Sequence, residues 1–138
     1  MGSSSIRILY VEDEEDDVLF MKRALSKVCP DIELKVARDG DEAVRVLSQE
    51  RPPPDYVLLD LKMPRRSGLE VLQWIRGHPE LKDLAVTVFS SSPEQSDLSR
   101  VHQLGVDQYI VKPVSFAELV KVVRFLCERW GVTDRPAS

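Results

Sequence analysis

Cysteine is scarce in this sequence, with two residues, Cys29 and Cys127, among 138. They lie far apart in the chain and form no CxxC motif, so neither a disulfide framework nor a cysteine metal site is expected. Long apolar runs are missing too, and the first residues lack the apolar core of a signal peptide. We therefore expect no membrane contact and a reducing, cytoplasmic location, with MGSSS (residues 1–5) as a flexible leader.

A surplus of basic charge is also missing. The formal net charge is −4, whereas a nucleic-acid surface needs a concentrated basic face, so no nucleic acid is expected to bind. The hydrophobic share of 43% and the charged share of 30% are typical of an ordinary globular domain. A chain of this length suffices for one domain with a proper core. We predict that this domain covers residues 6–130 and that residues 131–138 form a short tail.

The sequence does contain a regular alternation of two patterns. Short β-rich runs alternate with segments whose apolar residues recur at helical spacing. The predicted strands are residues 6–11, 32–37, 56–60, 84–90 and 108–111, and three of the predicted helices are 67–76, 93–104 and 115–130. Five βα units in succession predict an α/β fold, in which helices cover both faces of a parallel sheet.

The predicted strands end in residues that a buried strand rarely tolerates. EDEEDD (Glu12 to Asp17) follows the first strand, Asp60 ends the third, Ser90 ends the fourth and Lys112 follows the fifth. In an open doubly wound sheet the carboxyl ends of the strands converge on one crevice, where ligands bind. A carboxylate buried there costs several kcal/mol unless it is paired or bound to a cation.

Glu12, Asp13 and Asp60 would repel one another in such a crevice. At ~4 Å, two like charges cost about 1 kcal/mol in water and about 4 kcal/mol at an effective dielectric constant of about 20. A divalent cation between the carboxylates would remove this cost, and hard oxygen ligands favour Mg²⁺ or Mn²⁺ over zinc. With Lys112 and a hydroxyl opposite the metal, the arrangement suits transfer of a phosphoryl group to Asp60.

Four motifs at these strand ends carry a resemblance to a known family: ILYVEDEEDD, VLLDLKMPRRSGLEVL, VTVFSSS and YIVKP. From about Arg7 to Trp130 the sequence resembles the response-regulator receiver domains of two-component signalling, to which the bacterial chemotaxis regulator belongs. The resemblance implies a flavodoxin-like (βα)5 fold with a five-stranded parallel sheet of order 2-1-3-4-5. EDD at the first helix and ARDGDEA after the second strand are most similar to stand-alone receivers associated with phytochrome kinases.

The resemblance also implies roles for individual residues. Asp60 would be the phosphoacceptor. Asp13 would bind Mg²⁺ directly and Glu12 through water, and Lys62 would offer its backbone carbonyl to the metal.

Three further residues would contact the phosphoryl group or respond to it. The resemblance implies that Lys112 binds the phosphoryl group and that a cis peptide bond to Pro113 aims its side chain. It also implies that Ser90 is the switch hydroxyl, although two more serines follow it and only the phase of the strand selects between them. Tyr109 is either the aromatic switch partner or an ordinary core residue of its strand.

Other interpretations stay open. Glu14 to Asp17 are expected to be first-turn acids favoured by the helix dipole. A flavodoxin would need a phosphate-cradling loop where EDEEDD would repel phosphate, and an aspartyl phosphatase usually has a second Asp where Lys62 stands. The alternatives within the family are a degenerate receiver that binds partners without phosphorylation and an intermediate in a multistep phosphorelay.

The sequence thus predicts a single-domain response regulator and not an enzyme, since no separate turnover substrate is expected. A sensor histidine kinase would phosphorylate Asp60, and the signal would pass through contacts with a downstream protein or onward to a histidine phosphotransfer partner. Residues 93–104, 108–111 and 115–130, with the apolar Phe125, are expected to form the responsive surface for homodimerisation or partner docking.

Overall fold

The computed structural model describes residues 6–63, 65–91 and 95–131, with the backbone alone described at 95–97. Within these residues five strands alternate with five helices. The strands β1 to β5 are Arg7–Val11, Glu33–Ala37, Tyr56–Leu59, Ala85–Ser90 and Gln108–Val111. The helices α1 to α5 are Glu15–Val28, Gly40–Gln49, Gly68–Gly77, Gln95–Gln103 and Phe116–Arg129.

The strands form one parallel sheet in the order β2-β1-β3-β4-β5. This topology confirms the predicted α/β fold with its strand order. In the register of the sheet, Leu59 of β3 pairs with Val11 of β1 and with Val88 of β4. The carboxyl ends of β1 and β3 are therefore level, β4 runs two residues further to Ser90, and the residues at these ends meet at one edge.

The core consists of two apolar layers, one on each face of the sheet. Successive side chains of a strand point to opposite faces, so Ile8 and Tyr10 of β1 pack with α1 and α5, whereas Leu9 and Val11 pack with α2 and α3. Fully burying one large aliphatic side chain contributes about 1.5 to 3 kcal/mol. Both layers therefore contribute substantially to the stability of the sheet.

The start of α1 differs from the starts of three other helices. The side chains of Asp39, Ser67 and Ser115 cap α2, α3 and α5 by accepting a hydrogen bond from a backbone N–H in the first turn. Glu14 precedes α1 without a side-chain cap of this kind. Its backbone N–H instead donates to Oε2 of Glu12, 3.1 Å away, so the start of α1 is bonded directly to a residue at the carboxyl edge.

Some expectations concern residues outside the described ranges. These are the flexible leader at 1–5, most of the tail at 131–138, and the first residues of the helix predicted over 93–104. Among the helices of the described part, none has both the length and the apolar character required to cross a membrane.

Candidate functional site at the carboxyl edge of the sheet

Backbone hydrogen bonds extend the sheet one residue beyond three of its strands. The N–H of Glu12 donates to the carbonyl of Ala37 at 2.9 Å, and the N–H of Asp60 donates to that of Val11 at 3.1 Å. The N–H of Lys112 donates in the same way to the carbonyl oxygen of Ser90 at 2.9 Å. Glu12, Asp60 and Lys112 are thus held in place by the sheet itself, and their side chains meet at its carboxyl edge.

Three carboxylates lie close together at this edge. Glu12, Asp13 and Asp60 each offer an oxygen, and these oxygens lie within 4.8 Å of one another. Glu12 is fully buried, Asp60 is 5% exposed and Asp13 is half-buried. A compact set of hard oxygen donors with little access to water fits a divalent cation such as Mg²⁺. The three residues predicted as metal ligands are therefore brought together, and their role in metal binding stays a prediction.

The ammonium of Lys112 lies among the carboxylates. Its Nζ is 2.7 Å from Oε1 of Glu12, 2.7 Å from Oδ2 of Asp17 and 3.2 Å from Oδ2 of Asp60. The lysine side chain is only 11% exposed. A single cation thus contacts three carboxylates in a poorly solvated place, which leaves the site with surplus negative charge.

This environment shifts the pKa values of three groups. Burial raises the pKa of Glu12 to about 7, with the charge of Asp60 acting in the same direction and the hydrogen bond to Lys112 opposing it. Burial lowers the pKa of Lys112, but its bonds to Asp17 and Glu12 outweigh burial, so this pKa lies above its ordinary value. Burial and the nearby charge of Glu12 raise the pKa of Tyr10, whose hydroxyl donates to Oε1 of Glu12 at 3.3 Å. The lysine is therefore held in its charged form.

The hydroxyl predicted to act as a switch lies at the end of β4. Ser90 is 1% exposed, and within the described part of the chain its Oγ has no hydrogen-bond partner. Ser91 is exposed, so burial agrees with the choice of Ser90 from the phase of the strand. A buried hydroxyl without a bond is unusual in a native structure. It is therefore able to donate to a group that arrives at the site.

The other predicted switch residue, Tyr109, lies one strand away. It is half-buried on β5, opposite Val88 in the register of the sheet, and it packs against the apolar layer that contains α3. This packing is compatible with either of the two roles predicted for Tyr109, so the switch role stays a prediction.

The loop after β3 folds back onto the phosphoacceptor candidate. The backbone N–H of Lys62 donates to Oδ1 of Asp60 at 3.3 Å, while the side chain of Lys62 is exposed. The N–H of Gly68 donates to the carbonyl of Leu61 at 3.0 Å, and a Cβ at position 68 would collide with the carbonyl oxygen of Asp60. Only glycine permits this close approach, which fixes the loop that carries Lys62. The proposed bond from the Lys62 carbonyl to a metal stays a prediction.

Asp17 is the site residue that the sequence did not reveal. It was expected to be a first-turn acid of α1, but its carboxylate bonds the ammonium of Lys112. The available signal was spacing, because Asp17 follows Asp13 by four residues, about one helical turn. That signal is weak in a run of six acids. All six side chains carry a carboxyl group, and the sequence alone does not show which of them points toward Lys112.

One implied feature of the backbone is wrong. Among the described residues the cis peptide bond joins Arg51 and Pro52, so the bond between Lys112 and Pro113 is not cis. The ammonium of Lys112 reaches Asp60 and its neighbours without it.

Comparisons with known proteins agree with this geometry. The sequence matches the family described as response regulator receiver domain over residues 8–124. It is 34% identical over 128 residues to the response regulator Rcp1 of Synechocystis sp.. The alignment covers 89% of this chain and 87% of Rcp1.

Two solved structures are also similar to this chain. The phosphorylated cyanobacterial phytochrome response regulator RcpA superposes with a TM-score of 0.87 at 34% identity, over 98% of this chain and 100% of RcpA. The Mn²⁺-bound form of Rcp1 superposes with a TM-score of 0.83 at 33% identity, over 95% of this chain and 99% of that one. The predicted likeness to phytochrome response regulators is confirmed. From the match over most of its length and the buried acidic site at the ends of its strands, this chain belongs to the response regulator receiver domain family.

Proposed function

We propose that this receiver domain acts in a two-component phosphorelay and accepts a phosphoryl group from a sensor histidine kinase on Asp60. The observation that carries the proposal is the position of Asp60, which is nearly buried between two further carboxylates and the ammonium of Lys112. Two similar structures support it, because one is of phosphorylated RcpA and the other is of the Mn²⁺-bound form of Rcp1.

Each group at the site has a role in the transfer. A carboxylate oxygen of Asp60 forms the new bond to phosphorus while the bond from phosphorus to the histidine nitrogen of the donor breaks, and that nitrogen keeps the electron pair. Glu12, Asp13 and Asp60, with the Lys62 carbonyl, would hold Mg²⁺, which would neutralise charge on the transferring group. The Lys112 ammonium neutralises the same group as a hydrogen-bond donor.

The response is proposed to run through Ser90 and Tyr109. A phosphoryl group on Asp60 offers an acceptor to the buried Ser90 hydroxyl, and movement of Ser90 changes the space next to Tyr109 on β5. We expect Ser90→Ala to accept the phosphoryl group but to lose the change at α4, β5 and α5. Hydrogen exchange with and without beryllofluoride measures this, and identical changes in wild type and Ser90→Ala would exclude Ser90 as the link.

The donor is proposed to dock on an apolar face that borders Lys112. A cavity of about 260 Å³ lies there, lined by Asp17, Lys112 and a largely apolar rim. Phe20 and Phe116 on this rim are each 41% exposed, which is unusual for aromatic side chains. A histidine of the kinase must come next to Asp60, so this face is in the right place for the segment that carries it.

The docking proposal is tested with matched phenylalanines. Phe20→Ser and Phe116→Ser should slow transfer from a phosphorylated histidine kinase and leave labelling by acetyl phosphate unchanged. Phe125→Ser is the control, because Phe125 is 45% exposed on α5 but does not line the cavity. Equal losses in all three variants would argue against this face.

The proposed function itself is tested by intact-mass spectrometry. With acetyl phosphate and Mg²⁺, the wild type should gain one phosphoryl group, and Asp60→Asn should gain none. Asp55→Asn is the matched control, since Asp55 is an exposed aspartate at the opposite edge of the sheet. Labelling of Asp60→Asn to the level of the wild type would reject Asp60 as the acceptor.

The same proposal has three further parts. The protein signals through contacts with other proteins, it lies in the cytoplasm, and it has no separate turnover substrate. The thiols of Cys29 and Cys127, both buried in the core, agree with a reducing compartment.

A further inference from the structure

Asp17 lies closer to the ammonium of Lys112 than Asp60, the proposed phosphoacceptor, does. Its Oδ2 lies 2.7 Å from Nζ of Lys112, compared with 3.2 Å for Oδ2 of Asp60. The contact joins the first turn of α1 to the residue after β5, 95 positions later in the chain. Asp17 therefore fixes where the ammonium lies relative to Asp60.

Asp17 also differs from the other acids near it. It is not a member of the group of three carboxylates suited to a metal ion, and its side chain is 35% exposed. Glu15 and Asp16, also in the first turn of α1, are exposed and suffice to complement the helix dipole. The contact between the Asp17 carboxylate and Lys112 thus needs an explanation other than metal binding or helix stability.

We propose that Asp17 is a positioning residue for Lys112, which holds the ammonium beside Asp60 and restrains the rate at which Asp60 accepts a phosphoryl group. The second part rests on the proposed function. An ammonium has three N–H donors, and three carboxylates contact this one. A phosphoryl group arriving on Asp60 must therefore compete with Asp17 for a donor, and it is also repelled by the Asp17 charge.

Two substitutions separate position from charge. Asp17→Asn keeps an acceptor oxygen for the lysine and removes the charge, whereas Asp17→Ala removes both. Asp16→Asn is the control, because it makes the same change of charge one residue away at an exposed position. Asp17 is one third exposed, so none of these variants removes a core contact.

The first measurement detects the lysine without any phosphoryl transfer. In protein labelled with ¹⁵N-lysine, the ammonium of Lys112 should give an NMR cross-peak at low temperature, because its hydrogen bonds slow exchange with water; Lys112→Met assigns the peak. We expect the peak in the wild type, Asp16→Asn and Asp17→Asn, and its loss in Asp17→Ala. A peak that persists unchanged in Asp17→Ala would overturn the positioning role.

The second measurement is the rate of labelling by acetyl phosphate at saturating Mg²⁺. We expect Asp17→Asn to be labelled about 3 to 10 times faster than Asp16→Asn, the size of the effect of one nearby charge that is partly screened by water. A rate for Asp17→Asn equal to or below that of Asp16→Asn would overturn the restraining role. If wild-type Asp60 accepts no phosphoryl group from any donor, the proposed function fails, while the NMR result still decides whether Asp17 positions Lys112.

Discussion

Two clusters of basic and acidic side chains in this molecule differ in charge balance and in burial. The Arg7 cluster, on β1, β2 and the end of α2, pairs two cations with two carboxylates: Arg7, Lys35, Glu33 and Glu50. The Lys112 cluster, at the carboxyl edge of the sheet, places one cation among four carboxylates: Lys112, Glu12, Asp13, Asp17 and Asp60.

The two clusters also differ in their access to water. In the Arg7 cluster the side chains of Arg7 and Lys35 are 32% and 56% exposed, so water screens each pair. In the Lys112 cluster the lysine is 11% exposed and Glu12 is fully buried. Balanced and screened charges contribute little to the free energy of folding, whereas an excess of buried negative charge favours the arrival of a cation. We therefore expect the two clusters to differ in role, with the Arg7 cluster forming surface ion pairs and the Lys112 cluster forming the proposed metal and phosphoryl site.

The largest expected effect is the difference in the free energy of unfolding between two variants that each remove one lysine, Lys112 from one cluster and Lys35 from the other. Lys112→Met leaves the buried carboxylates without their cation, and we expect it to lower the free energy of unfolding by about 3 kcal/mol in the absence of metal. Lys35→Met breaks an exposed pair and should cost less than about 1 kcal/mol. Urea denaturation of the two variants measures both values, and equal losses would contradict the distinction between the clusters.

The next largest effect is expected in the pH dependence of the stabilisation that Mg²⁺ gives to the folded protein. The pKa of Glu12 is about 7 in the folded protein, above its ordinary value, so the folded state keeps a proton that the unfolded state has lost. The stability that this proton contributes is complete below the ordinary pKa of a glutamate, about 4.3, and is lost as the pH rises through about 7. Mg²⁺ favours the ionised carboxylate, so its stabilising effect should grow between about pH 6 and pH 8 by on the order of 1 kcal/mol.

Thermal midpoints with and without Mg²⁺ across this pH range measure the effect. In Glu12→Gln the difference between the two midpoints should be independent of pH. If wild type and Glu12→Gln gave parallel curves, Glu12 would not be the titrating group.

The smallest effect is expected from Glu50→Gln. Glu50 contacts both Arg7 and Lys35, but the loss of these partly exposed pairs should cost at most about 1 kcal/mol, and less at high salt. The response to Mg²⁺ should equal that of the wild type, because Glu50 lies outside the Lys112 cluster. A calorimetric Mg²⁺ titration of this variant provides the check, and an altered affinity would show that the two clusters are coupled.

Much of the fold could be predicted from the sequence because its local signals agree with the tertiary structure. The run from Tyr56 to Leu59 is apolar throughout, since a central parallel strand is covered on both faces. The predicted helix over 67–76 corresponds to α3, whose start is fixed by a capping box between Ser67 and Glu70. The strand order came from the resemblance to a known family, because local patterns do not determine which strands pair.

The candidate site was predictable only where a residue belongs to a motif. Ser90 ends its strand and Glu12, Asp13, Asp60 and Lys112 follow theirs. The parallel sheet brings such ends together whatever the details of packing. Asp17 could not be distinguished from Asp16 in the sequence, because its contact depends on how α1 packs next to the residue after β5. That packing results from the core between α1 and α5, which involves residues distant in the chain.

The most direct test of the reactive nature of the Lys112 cluster is the response of the thermal midpoint to Mg²⁺ in the wild type and in Asp13→Ala. We expect Mg²⁺ to raise the midpoint of the wild type, because binding to the folded state relieves the repulsion between carboxylates. Without metal, Asp13→Ala should be more stable than the wild type by about 1 kcal/mol, since one like-charge contact is gone. It should also show no response to Mg²⁺. An Asp13→Ala protein that responds to Mg²⁺ as fully as the wild type would contradict the assignment of this cluster as the metal site.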